Sequence, residues 1–173
     1  MKQKNSNHVC ILSIAPSARG FGFALIKESK VLAEWGTRTF ADKDDKSGQL
    51  VPKIEKLMDR FQPSLLVMPD ASEKGSRRSP WTRKLVKQAI ALAGRYGVEA
   101  TLIRKEQLRQ FFFAGQKGNK HARAKILAER FPEELADLLP PERQTWMSES
   151  RQMQMFDAVA LALVSSMPKQ SGR

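Results

Sequence analysis

The chain has 173 residues, a single cysteine and a net charge of +12 at pH 7. One cysteine excludes an internal disulfide, and no apolar run reaches the ~18 residues that a membrane-spanning helix needs. We therefore predict a cytoplasmic protein with one domain over residues 1–173 and flexible ends at 1–8 and 168–173. The excess of Lys and Arg predicts a polyanionic partner, most often nucleic acid.

The first elements are three strands joined by short turns. The stretch Val9–Ile26 is apolar on both sides of an interruption that contains Pro and Gly. This pattern predicts a buried strand over Val9–Ala15, a tight turn, and a second strand over Phe21–Ile26. Bulky residues alternate with small ones in the second strand, so one face is bulky and the other is small. A polar turn and a third strand over Val31–Phe40 complete a predicted antiparallel meander.

Helices alternate with strands in the rest of the chain. Short apolar runs predict strands over Ser64–Met68 and Val98–Ile103, and a helix between two strands predicts parallel pairing. Apolar residues at helical spacing predict helices over Gln49–Phe61, Trp81–Tyr96, Glu106–Phe113, Lys120–Phe131 and Gln152–Met167, with a short helical turn in Glu133–Leu139. Ser79 and Pro80 are a predicted N-cap and first helical residue. The order predicts an α/β fold with a mixed five-stranded sheet and helices on both faces.

Three short motifs lie in order on these elements. The first is Ile14-Ala15-Pro16-Ser17 followed by Gly20-Phe21-Gly22, the second is Pro63 and the strand after it, and the third is Gln154-Met155-Phe156-Asp157-Ala158-Val159-Ala160. These motifs resemble those of RuvC-type Holliday-junction resolvases, which have a ribonuclease H-like fold. In that family the motifs are Asp-Pro-Gly with Gly-x-Gly, a Pro before a strand that ends in Glu, and Asp-Ala-x-Asp-Ala-Leu-Ala.

The resemblance implies a site where four acidic or His side chains hold two divalent metal ions. This sequence departs from that pattern at three positions. Ala15 stands at the first-strand Asp, Pro69 at the strand-end Glu with Asp70 next to it, and Gln154 at the first acid of the last helix. Only Asp157 matches the family pattern. The departures predict an impaired site in which Asp70 and Asp157 are the remaining candidates for catalysis or metal binding.

Three functions follow from this pattern. The first is a RuvC-like protein that binds branched or structured DNA, is catalytically impaired and needs no cofactor. The second is an active endonuclease with Mg²⁺ or Mn²⁺, in which Asp70 and Asp157 act with a third acid such as Glu73 or Glu149. The third is a scaffold subunit that binds a protein partner. The resemblance also implies a homodimer through Trp81–Tyr96.

The candidate nucleic-acid-binding residues are the basic residues that follow strand ends or lie at the starts of helices. Cationic side chains and helix N-termini at such positions bind phosphates without reading the sequence. One group consists of Lys74, Arg77, Arg78, Arg83, Lys84 and Lys87, and the other of Arg104, Lys105, Arg109, Lys117, Lys120, Arg123 and Lys125.

Four single residues have two interpretations each. Asp157 is either a metal ligand or one half of a salt bridge, and Asp70 is either a ligand or a turn residue. His121 is a surface residue or a general base, and Trp81 is a core residue or one that stacks on a base.

Overall fold

The computed structural model describes residues 9–41, 46–72 and 79–167. The strands are β1 Ile11–Ser17, β2 Gly20–Lys27, β3 Val31–Thr39, β4 Leu65–Pro69 and β5 Glu99–Ile103. The helices are α1 Ser47–Phe61, α2 Pro80–Arg95, α3 Lys105–Phe113, α4 Lys120–Arg130, α5 Pro132–Leu135 and α6 Gln152–Ser166. Single 3₁₀ turns cover Glu28–Lys30 and Ala136–Leu138. In these described ranges, no helix has the length and apolarity to cross a membrane.

The five strands form one mixed sheet in the order β3-β2-β1-β4-β5. β1, β2 and β3 pair antiparallel, whereas β4 pairs parallel to β1 and β5 parallel to β4. The predicted α/β fold with a mixed five-stranded sheet is therefore confirmed. Because β1, β4 and β5 run in the same direction, their carboxyl ends lie at one edge of the sheet.

The two faces of the sheet carry separate cores. Phe21, Phe23 and Leu25 point to the face covered by α1 and α2, while Ala24 points to the face covered by α4 and α6. This is the predicted alternation of bulky and small residues in β2. The small face lets α6 lie close to the sheet, because a Cβ on Gly22 would lie 2.1 Å from the Gln154 carbonyl oxygen.

The strand β1 differs from its predicted bounds. It begins at Ile11 and continues through Pro16 to Ser17, where Ser17 pairs with Gly20 of β2. The prediction ended this strand at Ala15 because Pro interrupts most sheets. β1 pairs with β4 only as far as Ser13, so Pro16 lies where β1 has a single neighbour and its missing N–H is tolerated.

The helix ends agree closely with the sequence. Ser79 caps α2 by accepting a hydrogen bond from the Thr82 backbone N–H at 3.2 Å, and Pro80 is its first residue, as predicted. The predicted turn in Glu133–Leu139 is the short helix α5 followed by the second 3₁₀ turn.

Candidate functional site

A cleft of about 460 Å³ opens at the carboxyl ends of β1 and β4. Strand ends, α3, the start of α4 and one side of α6 form its walls. The cleft is lined by Ala15, Pro69, Lys105, Glu106, Arg109, Phe113, Lys120, Arg123, Glu149, Gln154, Asp157 and Leu161, with a few small residues. The four positions that the resemblance singles out, Ala15, Pro69, Gln154 and Asp157, therefore converge on one place.

Helix α6 is held in this place by its contacts with β1 and β2. The Ser13 hydroxyl donates a hydrogen bond to the Ala158 carbonyl oxygen at 2.5 Å, and Ser13 is fully buried. Gly22 lies against the backbone of Gln154 and Met155, and no larger residue fits there. Residues that are three or four positions apart on a helix lie on the same side of it, and three such residues of α6 face the cleft. These are Gln154, Asp157 and Leu161.

Asp157 forms ion pairs with two cations. Its Oδ1 accepts a hydrogen bond from Arg123 Nη2 at 2.8 Å, and its Oδ2 lies 3.3 Å from Lys120 Nζ. The Asp157 and Arg123 side chains are only 21% and 15% exposed. Lys120 Nζ also donates to Glu149 Oε1 at 2.9 Å. Asp157 is therefore one half of a salt bridge, which is one of its two predicted interpretations. We call Asp157, Arg123, Lys120 and Glu149 together the Asp157 cluster.

The first turn of α4 presents both cations. Asn119 is the N-cap, and its Oδ1 accepts a hydrogen bond from the Ala122 backbone N–H at 2.7 Å. Lys120 and Arg123 follow three residues apart on one side of the helix, which turns both side chains towards α6. The other side of α4 packs into the core through Ala124 and Leu127.

Burial and charge act in opposite directions on Lys120. Partial burial by itself lowers the pKa of its ammonium group, but the nearby carboxylates of Asp157 and Glu149 outweigh burial, so the pKa is raised above its ordinary value. Lys120 therefore carries a positive charge in the cleft at neutral pH.

Asp70 follows β4 but faces a turn. Its Oδ1 accepts hydrogen bonds from the Ser72 backbone N–H at 3.0 Å and from the Ser72 hydroxyl at 2.7 Å. These contacts are those of a side chain that stabilises a local turn. Pro69 lines the cleft, and Asp70 is not among the lining residues. Glu73, a proposed third acid, lies outside the described residues.

The residues of the cleft do not fit a pair of divalent metal ions. Such a pair needs several carboxylates that converge on both ions. Ala15 and Pro69 offer no side-chain ligand atom, and each Asp157 oxygen already faces a cation. Over residues 9–41, 46–72 and 79–167, no group of three or more His, Cys, Asp or Glu side chains is placed to hold a metal ion.

The candidate nucleic-acid-binding residues divide between two places. Lys105, Arg109, Lys120 and Arg123 line the cleft, where Arg109 forms an ion pair with Glu106, and Lys117 is exposed just before α4. Three further cations, Arg83, Lys84 and Lys87, are exposed on α2, which covers the other face of the sheet. Lys74, Arg77 and Arg78 lie outside the described residues.

The remaining candidates have structural surroundings. His121 Nε2 lies 3.0 Å from the Pro140 carbonyl oxygen, and His121 does not line the cleft. Trp81 is partly buried and packs edge-on against Phe40, with ring centroids 6.4 Å apart, which supports its interpretation as a core residue.

The contact between Glu149 and Lys120 is one that the sequence does not reveal. Residues 142–150 are polar and irregular in sequence, and 29 positions separate the two partners. No periodicity links a residue in an irregular segment to a helix that far away. The sequence suggests Glu149 only as a third metal ligand, whereas in the structure its carboxylate pairs with the Lys120 ammonium group.

Comparisons with known proteins give a fold likeness alone. No family model and no curated protein matches the chain. The structure is similar to Thermus thermophilus RuvC, with a TM-score of 0.63, 17% identity, and coverage of 90% of this chain and 92% of that one. For RuvC of the same organism in complex with a Holliday junction substrate, the TM-score is 0.61 and the identity 16%, and the match covers 91% of this chain and 92% of that one. For the yeast mitochondrial Holliday junction resolvase Ydc2, the TM-score is 0.62 and the identity 11%, and the match covers 94% of this chain and 79% of that one.

These solved structures support the predicted ribonuclease H-like architecture. At identities of 11–17%, the likeness shows the fold and does not show the chemistry of the cleft, which depends on its own residues.

Proposed function

We propose that this protein binds branched DNA, such as a four-way junction, without cutting it by divalent-metal chemistry. The observation that carries the proposal is the Asp157 cluster. Where the resemblance implies four positions that hold two metal ions, three carry no acid here, and the carboxylate at the fourth, Asp157, is paired with Arg123 and Lys120.

The charge of the chain supports a nucleic-acid ligand. The net charge is +12, and several cations lie in or beside the cleft at the carboxyl ends of the strands. Lys and Arg contacts to phosphates release counterions, which makes binding depend strongly on salt and only weakly on sequence. The likeness to RuvC, whose structure in complex with a Holliday junction substrate is among the similar structures, supports a branched ligand.

Two alternatives make different predictions. An active endonuclease would need Asp70 and Asp157 to reach a common metal ion, but Asp70 bonds to Ser72 and Asp157 to Arg123. A protein scaffold would need no DNA contact, and its charge would serve solubility alone. Absence of any DNA complex at low salt would favour the scaffold.

The binding proposal is tested by fluorescence anisotropy with a labelled four-way junction and a duplex of equal length. We expect tighter binding of the junction, a loss of affinity of about 10³-fold or more between 50 and 200 mM salt if six or more phosphates are contacted, and no gain in affinity when Mg²⁺ replaces EDTA. Equal affinity for junction and duplex would contradict the proposal.

A pair of variants locates the binding surface. Arg109→Gln with Lys117→Gln removes two cations at the cleft and should reduce the salt slope by about 0.9 for each phosphate contact that is lost. Lys27→Gln with Lys56→Gln is the matched control, because both cations are exposed away from the cleft, Lys27 at the end of β2 and Lys56 on α1. An equal effect of both changes would show that general charge, and not the cleft, attracts the DNA.

The homodimer through α2 is part of the same proposal. A four-way junction presents two equivalent arms on either side of its centre, and a protein dimer with two-fold symmetry matches that arrangement. Sedimentation of the free protein and of its junction complex tests it, with one dimer per junction expected and one monomer per junction contradicting it.

A further inference from the structure

Trp146 is a large hydrophobic side chain that the fold leaves in solvent. It is 81% exposed, whereas the next most exposed large hydrophobic residue in the described ranges, Val31, is 54% exposed. An aromatic side chain buried in a core or an interface contributes a large hydrophobic gain. The indole of Trp146 makes no such contribution in the free protein, because it stays in contact with solvent.

The turn that carries Trp146 is held by its neighbours. The Met147 backbone N–H donates a hydrogen bond to the Gln144 carbonyl oxygen at 3.0 Å. The Met147 carbonyl oxygen in turn accepts a hydrogen bond from Arg143 Nε at 2.6 Å. The side chain of Trp146 is therefore presented on a closed turn.

This turn lies beside the cleft. Glu149, three residues after Trp146, lines the cleft and bonds to Lys120. Three residues of chain span at most about 11 Å. Consecutive nucleotides of one strand are about 3.4 Å apart along B-DNA, so the Cα atoms of Trp146 and Glu149 are separated by at most about three nucleotide steps.

A second cavity, of about 420 Å³, adjoins the cleft on the side of this turn. Lys120 and Glu149 line both cavities, and Pro140, Arg143 and Met147 line the second one only. The ion pair between Lys120 and Glu149 is therefore shared by the two cavities, and Met147, next to Trp146, lines the second one.

The surroundings of Trp146 favour a nucleobase over a protein partner. Arg143 and Arg151 are exposed on either side of it, and no ion pair among the described residues includes them. Cations interleaved with an aromatic ring are typical of proteins that bind unpaired strands. Protein hot spots instead lie in well-packed patches, whereas the exposed neighbours of Trp146 are the polar Thr145 and Ser148 and a single hydrophobic residue, Met147.

We propose that Trp146 stacks on an unpaired nucleobase of a DNA strand whose backbone lies in the cleft. The inference rests on the proposed function and deepens it, because it gives the branched ligand an open base near the branch point. Stacking on an indole needs only the face of the base, so it does not select a sequence.

The test uses a four-way junction with two unpaired nucleotides at the branch point, one of them the fluorescent base 2-aminopurine. The wild-type protein should quench its fluorescence, and Trp146→Phe should retain part of the quenching. Trp146→Ala should abolish it and weaken binding of this junction about tenfold, with unchanged binding of a fully paired duplex. Val31→Ala is the control, because Val31 is an exposed hydrophobic residue at the start of β3, at the opposite edge of the sheet.

Each other outcome has a distinct meaning. Quenching and affinity that survive in Trp146→Ala would overturn the inference and leave the proposed function standing, and a protein partner for Trp146 would then be sought. An equal loss of affinity for duplex and open junction would also overturn it, because stacking requires an unpaired base. Failure of the wild-type protein to bind any DNA would overturn the proposed function itself.

Discussion

Two sides of the helix α6 differ in what they share with the resolvase pattern. One side packs on β1 and β2, whose small residues let the helix lie close to the sheet, with Gly22 against Gln154 and Ser13 bonded to Ala158. The side that faces the cleft carries Asp157, which is paired with cations. One side of the helix therefore serves the packing of the fold, and the other places an ion pair in the cleft. A fold likeness alone does not establish an activity, because different residues determine the two.

The packing side should be the most sensitive to a small change. Gly22→Ala would place a Cβ 2.1 Å from the Gln154 carbonyl oxygen, so α6 would have to move away from the sheet. We expect a loss of about 3 kcal/mol in the free energy of unfolding, measured by urea denaturation.

Gly94→Ala is the matched control for this substitution. It lies within α2, and a Cβ there would meet no heavy atom within 4 Å. Alanine is the better helix former, so the control should be stabilised by about 0.5–1 kcal/mol. Equal stability of the two variants would show that α6 does not lie as close to β2 as described.

The cleft side should show a strong coupling between two charges. Arg123→Met leaves the mostly buried Asp157 carboxylate with Lys120 alone, and we expect a loss of about 2 kcal/mol in the free energy of unfolding. Replacing both partners, with Asp157→Leu in addition, should restore much of that loss because no charge is left unpaired. A double-mutant cycle with a coupling energy near zero would show that the pair is not formed in solution.

A smaller effect is expected from the hydroxyl of Ser13. Ser13→Ala removes the buried hydrogen bond to the Ala158 carbonyl oxygen and should cost about 1 kcal/mol of unfolding free energy, by thermal or urea denaturation. Ser166→Ala removes a bond of similar length, 2.7 Å to the Leu163 carbonyl oxygen, at the end of α6. Water can replace that donor, so Ser166→Ala should cost less, and the opposite order would contradict the proposed role of Ser13.

The smallest expected effect is the pH dependence contributed by Lys120. Because its folded-state pKa is raised, its ammonium group contributes stability that is fully present below the ordinary Lys pKa of about 10.4 and is lost as the pH rises through the folded-state pKa. The side chain is 53% exposed, so we expect less than about 1 kcal/mol.

The measurement compares urea denaturation of wild-type protein and Lys120→Met from neutral pH to about pH 11. The wild-type protein should lose more stability over this range than the variant does. Lys56→Met, on the exposed side of α1, controls for removal of one surface ammonium group. Identical pH profiles for Lys120→Met and the wild-type protein would show that the Asp157 cluster does not hold Lys120.

Most of the fold could be predicted because its signals are local. The alternation of Phe21, Gly22 and Phe23 gave the two faces of β2, and Ser79 with Pro80 gave the start of α2. The extension of β1 through Pro16 was not predicted, because tolerance of a proline depends on which neighbouring strand is present. That neighbour is set by the topology of the whole sheet.

The site was predicted only in part. The resemblance placed Ala15, Pro69, Gln154 and Asp157 together, and the structure brings all four to one cleft. The sequence left two interpretations of Asp157 open, because its partner Arg123 lies 34 positions away on another helix. Likewise, Pro-Asp after a strand fits a ligand or a turn equally well, and only the contacts of Asp70 with Ser72 distinguish the two.

Binding without metal-dependent cutting is tested most directly by an attempt to cleave a bound junction. A four-way junction labelled on each strand is incubated with excess protein and Mg²⁺ or Mn²⁺, and the strands are resolved on a denaturing gel while a native gel confirms binding. We predict a bound junction with intact strands. Symmetric nicks that appear with metal and disappear in Asp157→Asn would contradict the account, because they would require the Asp157 carboxylate to leave Arg123 and serve a metal ion.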